Sequence, residues 1–183
     1  MPVEEALIRR LLADTSVENF DTNIVFRSTV LNDPGAAEIL VGIMRAQGGQ
    51  IRKRARRMLC FFDEPALPAL DRGLTLQGSL WRSDLLHIVW TIVSGYDPNE
   101  LPRLLGLLAP RLVSLFDDKS LVVPEYSMPI EIEYRYRVCD EAYVLCQNML
   151  HPEFDDTTLR EETMEERDAA IRILRGRLER GNA

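Results

Sequence analysis

Apolar residues recur at helical spacing through the middle of the chain, in paired segments separated by short polar turns. Over residues 51–62 they fall within about 100° of a helical wheel, which is typical of one buried helix face. A second apolar stretch, residues 66–74, follows Asp63 after a short turn. Because neither helix of such a pair can bury its apolar face alone, the pattern predicts a right-handed helical-repeat solenoid in an all-α chain.

Similar amphipathic stretches predict helices on both sides of this pair. A short helix is predicted over Val3 to Leu12 and a second over about residues 17–31. Asp63 is a predicted N-cap, Thr163 and Glu166 are spaced as a capping box, and Gly181 should end the last helix. The predicted core positions of the flanking helices are Phe20, Ile24, Val25, Val30, Ala37, Leu40, Val41, Met44, Trp81, Leu85, Ile88, Val89, Ile92, Met164, Ile171, Leu174 and Leu178. Leu67, Leu70 and Leu74 have the same role in the central pair, and Trp90 is expected to pack between helices.

Residues 117–136 interrupt the helical pattern. From Ile130 to Arg137 apolar and charged residues alternate strictly, and this period of two favours an extended strand. Such a strand could pair with residues 121–123 as a small β-hairpin near 120–136. The alternative is a helix that starts near Glu131, and the sequence leaves both open. Either way, a helix is predicted from Val138 to Met149.

Length and charge limit the classes of protein to consider. A chain of 183 residues with 46% hydrophobic residues is expected to form one domain over residues 1–183. Its net charge of −7 argues against broad nucleic-acid affinity. No uncharged run approaches the roughly 20 residues of a membrane-spanning helix, and the N-terminus lacks an apolar signal core. We therefore expect a cytoplasmic protein without membrane association.

Catalytic, metal-binding and cofactor motifs are absent from the sequence. Neither HExxH, GxSxG nor a phosphate-binding glycine loop occurs, and there are only two histidines. The three cysteines form no CxxC pair, and Cys139 and Cys146 are seven residues apart, too far along a helix for a disulfide. A nucleophilic pair of Cys146 with His151 would have poor geometry across a helix end. The sequence predicts free, unreactive thiols, no catalytic residues, no metal and no cofactor.

Two surfaces are candidates for binding a partner. No acid occurs between Ile39 and Phe62, while this stretch carries several arginines, of which Arg52 and Arg56 flank one edge of the apolar face. They could bind phosphate or an acidic partner, or they could belong to a solvated helix face whose arginines pair with acids on neighbouring repeats. The second candidate surface consists of three tyrosines in the interrupting segment, since tyrosine tolerates both water and contact: Tyr126, Tyr134 and Tyr136.

Several segments of the chain resemble HEAT repeats, in particular their short bacterial versions. The resemblance lies in residues 56–70 and 101–105, and in a tail where Arg137-Val138-Cys139-Asp140-x-Ala142 is followed after a loop by Glu166-Arg167-Asp168-Ala169-Ala170-Ile171. It covers roughly residues 34–180, and the segment around 117–136 departs from it. The resemblance implies an all-helical stack with a binding or scaffolding role.

Two hypotheses on function follow from the pattern and the resemblance together. The first is a non-catalytic protein–protein interaction module or adaptor, with a toxin-neutralising immunity protein as a narrower version suggested by small size and acidity. The alternative is a nucleic-acid-active HEAT-like enzyme of the DNA glycosylase type. Such an enzyme needs a basic groove with aromatic residues and an acid directed at the flipped base, and the acidity of this chain opposes it.

Overall fold

The protein is mainly helical, as the computed structural model shows. It describes residues 3–15, 20, 22–33, 35–122, 136–154 and 162–181. The α-helices are α1 Glu5–Ala13, α2 Ala36–Ala46, α3 Gly49–Leu59, α4 Leu67–Leu74, α5 Ser79–Val93, α6 Leu101–Leu115, α7 Val138–Leu150 and α8 Met164–Glu179. A π-helical turn at Phe26–Val30 and a 3₁₀ turn at Glu64–Ala66 complete the helical segments in this part of the chain. The all-α prediction is confirmed at this level.

The helices group into two compact units. The N-terminal unit comprises Met1–Gly73 together with His87–Ile92, and the C-terminal unit comprises Leu74–Leu86 together with Val93–Ala183. In the first, α2 packs on α3 and α1 contacts both. In the second, α6 packs on α7 and α8 contacts both. Helix α5 contributes residues to each unit, and the expectation of a single domain stays a prediction.

The apolar stripes of α2 and α3 form the core of the N-terminal unit. The four predicted positions of α2 are all buried, and in the next stripe Ile51 is only half-buried while Ala55, Met58, Leu59 and Phe62 are buried. The predicted positions of α4 and α5 are buried as well. Trp90 is an exception, because 44% of its surface is exposed although it was expected to pack between helices.

The segment before α2 departs from the sequence prediction. Ile24 and Val25 were predicted to be core residues but are 80% and 44% exposed, whereas Phe26 is fully buried. The helical segment begins only at Ile24 and becomes π-helical from Phe26, where the Leu31 amide donates to the Phe26 carbonyl at 2.9 Å. Phe20 therefore does not lie on one helical wheel with Ile24 and Val25, and the wheel drawn from residue 17 misplaces them. Phe20 and Val30 are buried as predicted.

Helix ends follow the predicted signals in α8 but not in the central pair. Thr163 and Glu166 form the predicted capping box, and Gly181 ends the helix at φ +68°. Ile171 and Leu174 of α8 are buried and Leu178 is half-buried. Met164 is 44% exposed, against the prediction, because a wheel position alone does not show whether the first turn of a helix reaches its neighbour.

The turn before α4 is built differently from the predicted N-cap. Asp63 makes no side-chain cap; its carbonyl accepts a hydrogen bond from the Ala66 amide at 3.0 Å, and a 3₁₀ turn then leads into α4. The 3₁₀ turn therefore provides the backbone pairing that the Asp63 side chain was predicted to supply.

Both ends of the interrupting segment are held by a short antiparallel contact. Leu121 and Arg137 form a single β-bridge, with the Val122 amide donating to the Tyr136 carbonyl at 2.9 Å and the Val138 amide to the Ser120 carbonyl at 3.1 Å. Residues 123–135 lie outside the described residues, so hairpin or helix there stays a prediction. Helix α7 begins at Val138, as predicted.

The helices are too short or too polar to span a lipid bilayer. Across the part of the chain that the structure describes, no helix is both long enough and apolar enough to cross a membrane.

Truncation of Leu70 tests the central pair. Leu70 is fully buried in α4, so Leu70→Ala should lower the free energy of unfolding by roughly 2 to 5 kcal/mol, measured by urea denaturation. Leu107→Ala is the matched control, because Leu107 is 58% exposed and its truncation should change stability by less than about 0.5 kcal/mol. A loss below about 1 kcal/mol for Leu70→Ala would contradict the burial of this side chain.

Candidate functional site

Helix α3 places its basic residues around a buried apolar face. Because Ala55, Met58 and Leu59 point into the core, its cationic side chains occupy the remaining surface. The four between Arg52 and Arg56 are half-buried, and Arg57 is exposed. The sequence suggested either a binding surface or a structural role for these residues, and the structure divides them between the two.

Arg54 has a structural role. Its Nη2 donates to the carbonyl oxygens of Leu11 at 3.1 Å and Asp14 at 2.7 Å, and its guanidinium lies 4.9 Å from the centre of the Phe20 ring. These carbonyls end helix α1, where a cation is favoured by the negative end of the helix dipole. The sequence analysis offered internal pairing of these arginines with acids as one of two roles. Arg54 does form internal hydrogen bonds, although its acceptors are backbone carbonyls and not carboxylates.

Arg52 and Arg56, the two predicted partner-binding arginines, are also engaged within the protein. Both are half-buried, and each takes part in an interaction with the rest of the chain. Arg56 lies close enough to Cys60 to affect the pKa of its thiol. Lys53 is likewise half-buried and engaged within the chain, whereas Arg57 is exposed. The two are four residues apart and therefore share one side of the helix. We call Lys53 and Arg57 the cationic stripe.

Exposed aromatic side chains occur in the turn after α3 and in α5. Phe61, in that turn, is 37% exposed. Trp90 of α5 stacks on His87, with ring centres 6.1 Å apart and planes 24° from parallel. The thiol of Cys60 meets the hydroxyl of Thr91, which brings the end of α3 against this part of α5. We call Phe61, His87 and Trp90 the aromatic patch.

The sequence prediction missed Phe61 because the residue lies in the turn after α3. Its ring packs edge-on against Phe26, with centres 5.9 Å apart and planes at 70°. The exposed Ile24 and Val25 precede Phe26 in the chain and add apolar surface to this unit. Helical spacing gives no signal for Phe61, because it lies beyond the end of α3 at Leu59.

An ionic cluster with a buried centre and an exposed lysine at its edge is the main polar feature of the C-terminal unit. Asp140 accepts from Arg137 at both oxygens, at 2.8 Å and 3.1 Å, and from Nη1 of Arg167 at 2.9 Å. Arg137 Nη1 also lies 2.8 Å from Asp168 Oδ1, and the Lys119 ammonium lies 2.5 Å from Asp168 Oδ2. We call these five residues the ionic cluster. Four of them are residues on which the HEAT-like resemblance of the tail rests.

Pairing within the ionic cluster favours the charged forms of Arg137 and Asp168. Hydrogen bonds that Arg137 donates to Asp140 raise the pKa of Arg137 above its usual value, because they stabilise the cation. The Lys119 ammonium, together with Arg137, holds the pKa of Asp168 below its usual range. Since the start of α7, the first turn of α8 and the loop after α6 all contribute, the cluster connects these three elements. Its groups are engaged with one another, which indicates a structural role.

Glu141, the next residue along α7, has the opposite electrostatic behaviour. The Ser83 hydroxyl donates to its Oε1 at 2.8 Å, while its Oε2 is buried and has no hydrogen-bond partner within the described residues. Burial, with repulsion from Asp84 and Asp140, raises the pKa of Glu141 to about 7. Sequence analysis did not predict this, because an acid in the first turn of a helix is usually stabilised in its charged form by the helix dipole.

The predicted tyrosine surface is described only at one residue. Tyr136 is half-buried and its carbonyl holds the bridge to Val122. Tyr126 and Tyr134 lie outside the described residues, so their assignment as partner-binding residues stays a prediction.

The thiols are free, as predicted. Cys139 and Cys146 are buried, and burial raises the pKa of their thiols to about 11 and about 12. Burial also raises the pKa of the half-buried Cys60. His151 is exposed whereas Cys146 is fully buried, so the structure does not bring these two together as a nucleophilic pair. The residues that the structure describes contain no group of three side chains able to hold a metal ion.

Comparison with known proteins identifies no relative of this chain: no family model matches it, and no curated protein or solved structure is significantly similar to it.

Removing the central carboxylate tests the ionic cluster. Asp140→Asn should lower the free energy of unfolding by about 3 to 5 kcal/mol, because two buried guanidiniums lose their counter-charge. The control is Asp117→Asn, since Asp117 pairs with Arg175 but is 78% exposed and should matter by at most about 1 kcal/mol. Both values can be measured by denaturant unfolding at neutral pH. Equal losses for the two variants would contradict the assigned role of the cluster.

Neutralising Glu141 should change how stability depends on pH. A carboxyl whose pKa rises on folding from its ordinary 4.5 to about 7 binds a proton in the folded state, so its contribution to stability is lost as pH rises between these values. Glu141→Gln should therefore gain stability relative to wild type as pH rises from about 5 to about 8, by about 3 kcal/mol at most. Glu179→Gln, at an exposed position, should stay within about 0.5 kcal/mol of wild type. Thermal unfolding of all three proteins across this range is the measurement, and a pH-independent difference for Glu141→Gln would contradict it.

Proposed function

We propose that this chain is a non-catalytic protein-interaction module that binds its partner through the N-terminal unit. The observation that carries the proposal is the exposure of two large aromatic side chains of this unit, Phe61 and Trp90, which are 37% and 44% exposed. Large apolar side chains grouped on a surface mark contact sites more often than scattered ones do. Aromatic residues at the centre of an interface, with charged residues at its edge, supply much of the binding energy of protein complexes.

The fold that we propose for this module is a right-handed HEAT-like solenoid. Its support is the pairing of α2 with α3 in one unit and of α6 with α7 in the other. Further support is that Arg137, Asp140, Arg167 and Asp168, which carry the resemblance to HEAT-like tails, contact one another. Stacked helix pairs are frequently used as binding surfaces, which agrees with the proposed function.

The cellular setting that we propose is the cytoplasm. Three free cysteines, two of them buried, fit a reducing compartment. A toxin-neutralising immunity protein is a narrower version of the same function, supported by the small size and the net charge of −7. The cationic stripe supports an acidic contact surface on the partner, because opposite charges favour the encounter of two proteins and their orientation.

The test begins with the native partner. Affinity purification from the native cell, followed by mass spectrometry, should yield a protein that binds the purified chain in calorimetry. Lys53→Glu with Arg57→Glu should then weaken the affinity roughly ten-fold and reduce its dependence on salt. The matched control reverses two exposed arginines of α8, Arg172→Glu with Arg177→Glu, and should leave affinity within about two-fold.

Two results would contradict this function. One is substrate turnover by the purified chain with a defined pH optimum. The other is salt-sensitive binding of duplex DNA in a shift assay at low salt without any protein partner, which would favour the glycosylase-like alternative.

A further inference from the structure

We infer that the contact between Ser83 and Glu141 is a pH-sensitive switch, in which the neutral Glu141 carboxyl holds the first two turns of α5 (residues 79–86) against the start of α7 and the charged carboxylate loosens them. This conformational device is independent of the proposed function, because it lies in the C-terminal unit and uses no residue of the cationic stripe or the aromatic patch. The start of one helix, and not the whole fold, should therefore respond to pH.

The contact between α5 and α7 places a carboxyl where its negative charge is poorly supported. The Ser83 hydroxyl donates to Oε1 of Glu141 at 2.8 Å. The second oxygen, Oε2, is buried and has no hydrogen-bond partner within the residues that the structure describes. Burying a carboxyl costs far more free energy in its charged form than in its neutral form. Loss of the proton from Glu141 therefore weakens this helix contact.

The charged groups around Glu141 do not offset this cost. Burial raises the pKa of Glu141 to about 7, and repulsion from Asp84 on α5 and Asp140 on α7 contributes to the shift. The cations of α5 and of the ionic cluster are paired with other carboxylates: Arg82 with Asp118, Arg137 with Asp140 and Asp168, Arg167 with Asp140, and Lys119 with Asp168. Helix α6 carries only Arg103 and Arg111 as ionisable groups. Among the described neighbours, the Ser83 hydroxyl is the group that lowers the pKa of Glu141.

A second contact keeps the start of α5 attached in both states of Glu141. Arg82 pairs with Asp118 in the loop after α6, and its Nε donates to the Leu76 carbonyl at 3.0 Å. Although burial opposes the charge of Asp118, hydrogen bonds from Ser120 and Arg82 hold its pKa below the usual value. This ion pair therefore stays charged around neutral pH. Charging Glu141 should loosen the start of α5 without detaching the helix.

The pH range of the switch follows from the linkage between proton binding and packing. Glu141 has its ordinary pKa of 4.5 where it is exposed and a pKa of about 7 in the packed state, so packing binds a proton. The packed state is thus most favoured below about pH 4.5 and loses this advantage progressively until about pH 7. If loosening exposes Glu141 fully, the equilibrium constant for opening should rise roughly fifty-fold between about pH 5 and about pH 8.

Trp81 can report on the first turn of α5. It is 6% exposed and lies two residues before Ser83, and a Trp90→Phe background leaves it as the only tryptophan of the chain. Acrylamide should quench Trp81 fluorescence weakly at about pH 5 and more strongly at about pH 8, because loosening admits the quencher. Amide hydrogen exchange over residues 80–86, corrected for the intrinsic effect of pH on exchange, should accelerate in parallel. The amides of α2 and α3 should keep their protection.

Two substitutions separate the switch from a purely structural role of Glu141. Glu141→Gln keeps the size of the side chain without a charge, so the rise in opening between about pH 5 and about pH 8 should fall below roughly three-fold. Asp84→Asn removes one of the two repelling carboxylates, so the rise should level off at a lower pH than in the wild type. Glu165→Gln is the matched control, because Glu165 is an exposed acid in the first turn of α8, and it should reproduce the wild-type profile.

Three results would overturn the inference. The first is wild-type quenching and exchange at the start of α5 that do not change with pH, and the second is a rise that persists in Glu141→Gln. The third is an equal acceleration of exchange in α2 and α3, which would show that the whole fold responds. If circular dichroism shows that Glu141→Gln does not fold, the Asp84→Asn profile decides, and an unchanged pH of levelling off overturns the switch. A local rise that Glu141→Gln removes and Asp84→Asn moves to lower pH is the expected result.

Discussion

The C-terminal unit depends on one carboxylate. Asp140 is fully buried and accepts hydrogen bonds from Arg137 and Arg167, which are themselves 5% and 6% exposed. Three charges in such a place lose their hydration, and only complete mutual pairing offsets that loss. Arg137 also pairs with Asp168. The charged residues at the start of α7 and in the first turn of α8 therefore have partners only while these two segments stay in contact. The position of α8 thus follows from an electrostatic requirement as well as from apolar packing.

The same turn of α7 shows how partners decide the state of a buried acid. Asp140 and Glu141 are adjacent, but Asp140 faces two guanidiniums whereas Glu141 has one serine hydroxyl and two neighbouring carboxylates. Burial opposes the charge of Glu141, and repulsion from Asp84 and Asp140 adds to this effect. The pKa of about 7 for Glu141 therefore follows mainly from its burial on this turn of the helix. A shifted carboxyl of this kind has a structural origin and does not by itself indicate catalysis.

The sequence predicted most of the helices and their buried stripes, because a period near 3.6 directly reflects which side of a helix faces the core. It failed at Ile24 and Val25, since the helix there begins only at Ile24 and leaves Phe20 outside it. The choice of Arg52 and Arg56 as partner-binding residues stays a prediction. Periodicity identifies the edge of an apolar face, but the degree of exposure of each edge depends on neighbouring elements that are distant in the chain. The ionic cluster was missed for the same reason.

The two units engage their inward-facing arginines in different ways. In the C-terminal unit, arginines and aspartates face one another and satisfy their charges internally. In the N-terminal unit, Arg54 is turned inward to the carbonyls that end α1, whereas Arg57 and Phe61 remain at the surface. An exposed aromatic side chain costs solvation free energy unless something covers it part of the time. In the proposed function, contact with a partner removes that cost, and exposed cations favour a partner with acidic residues.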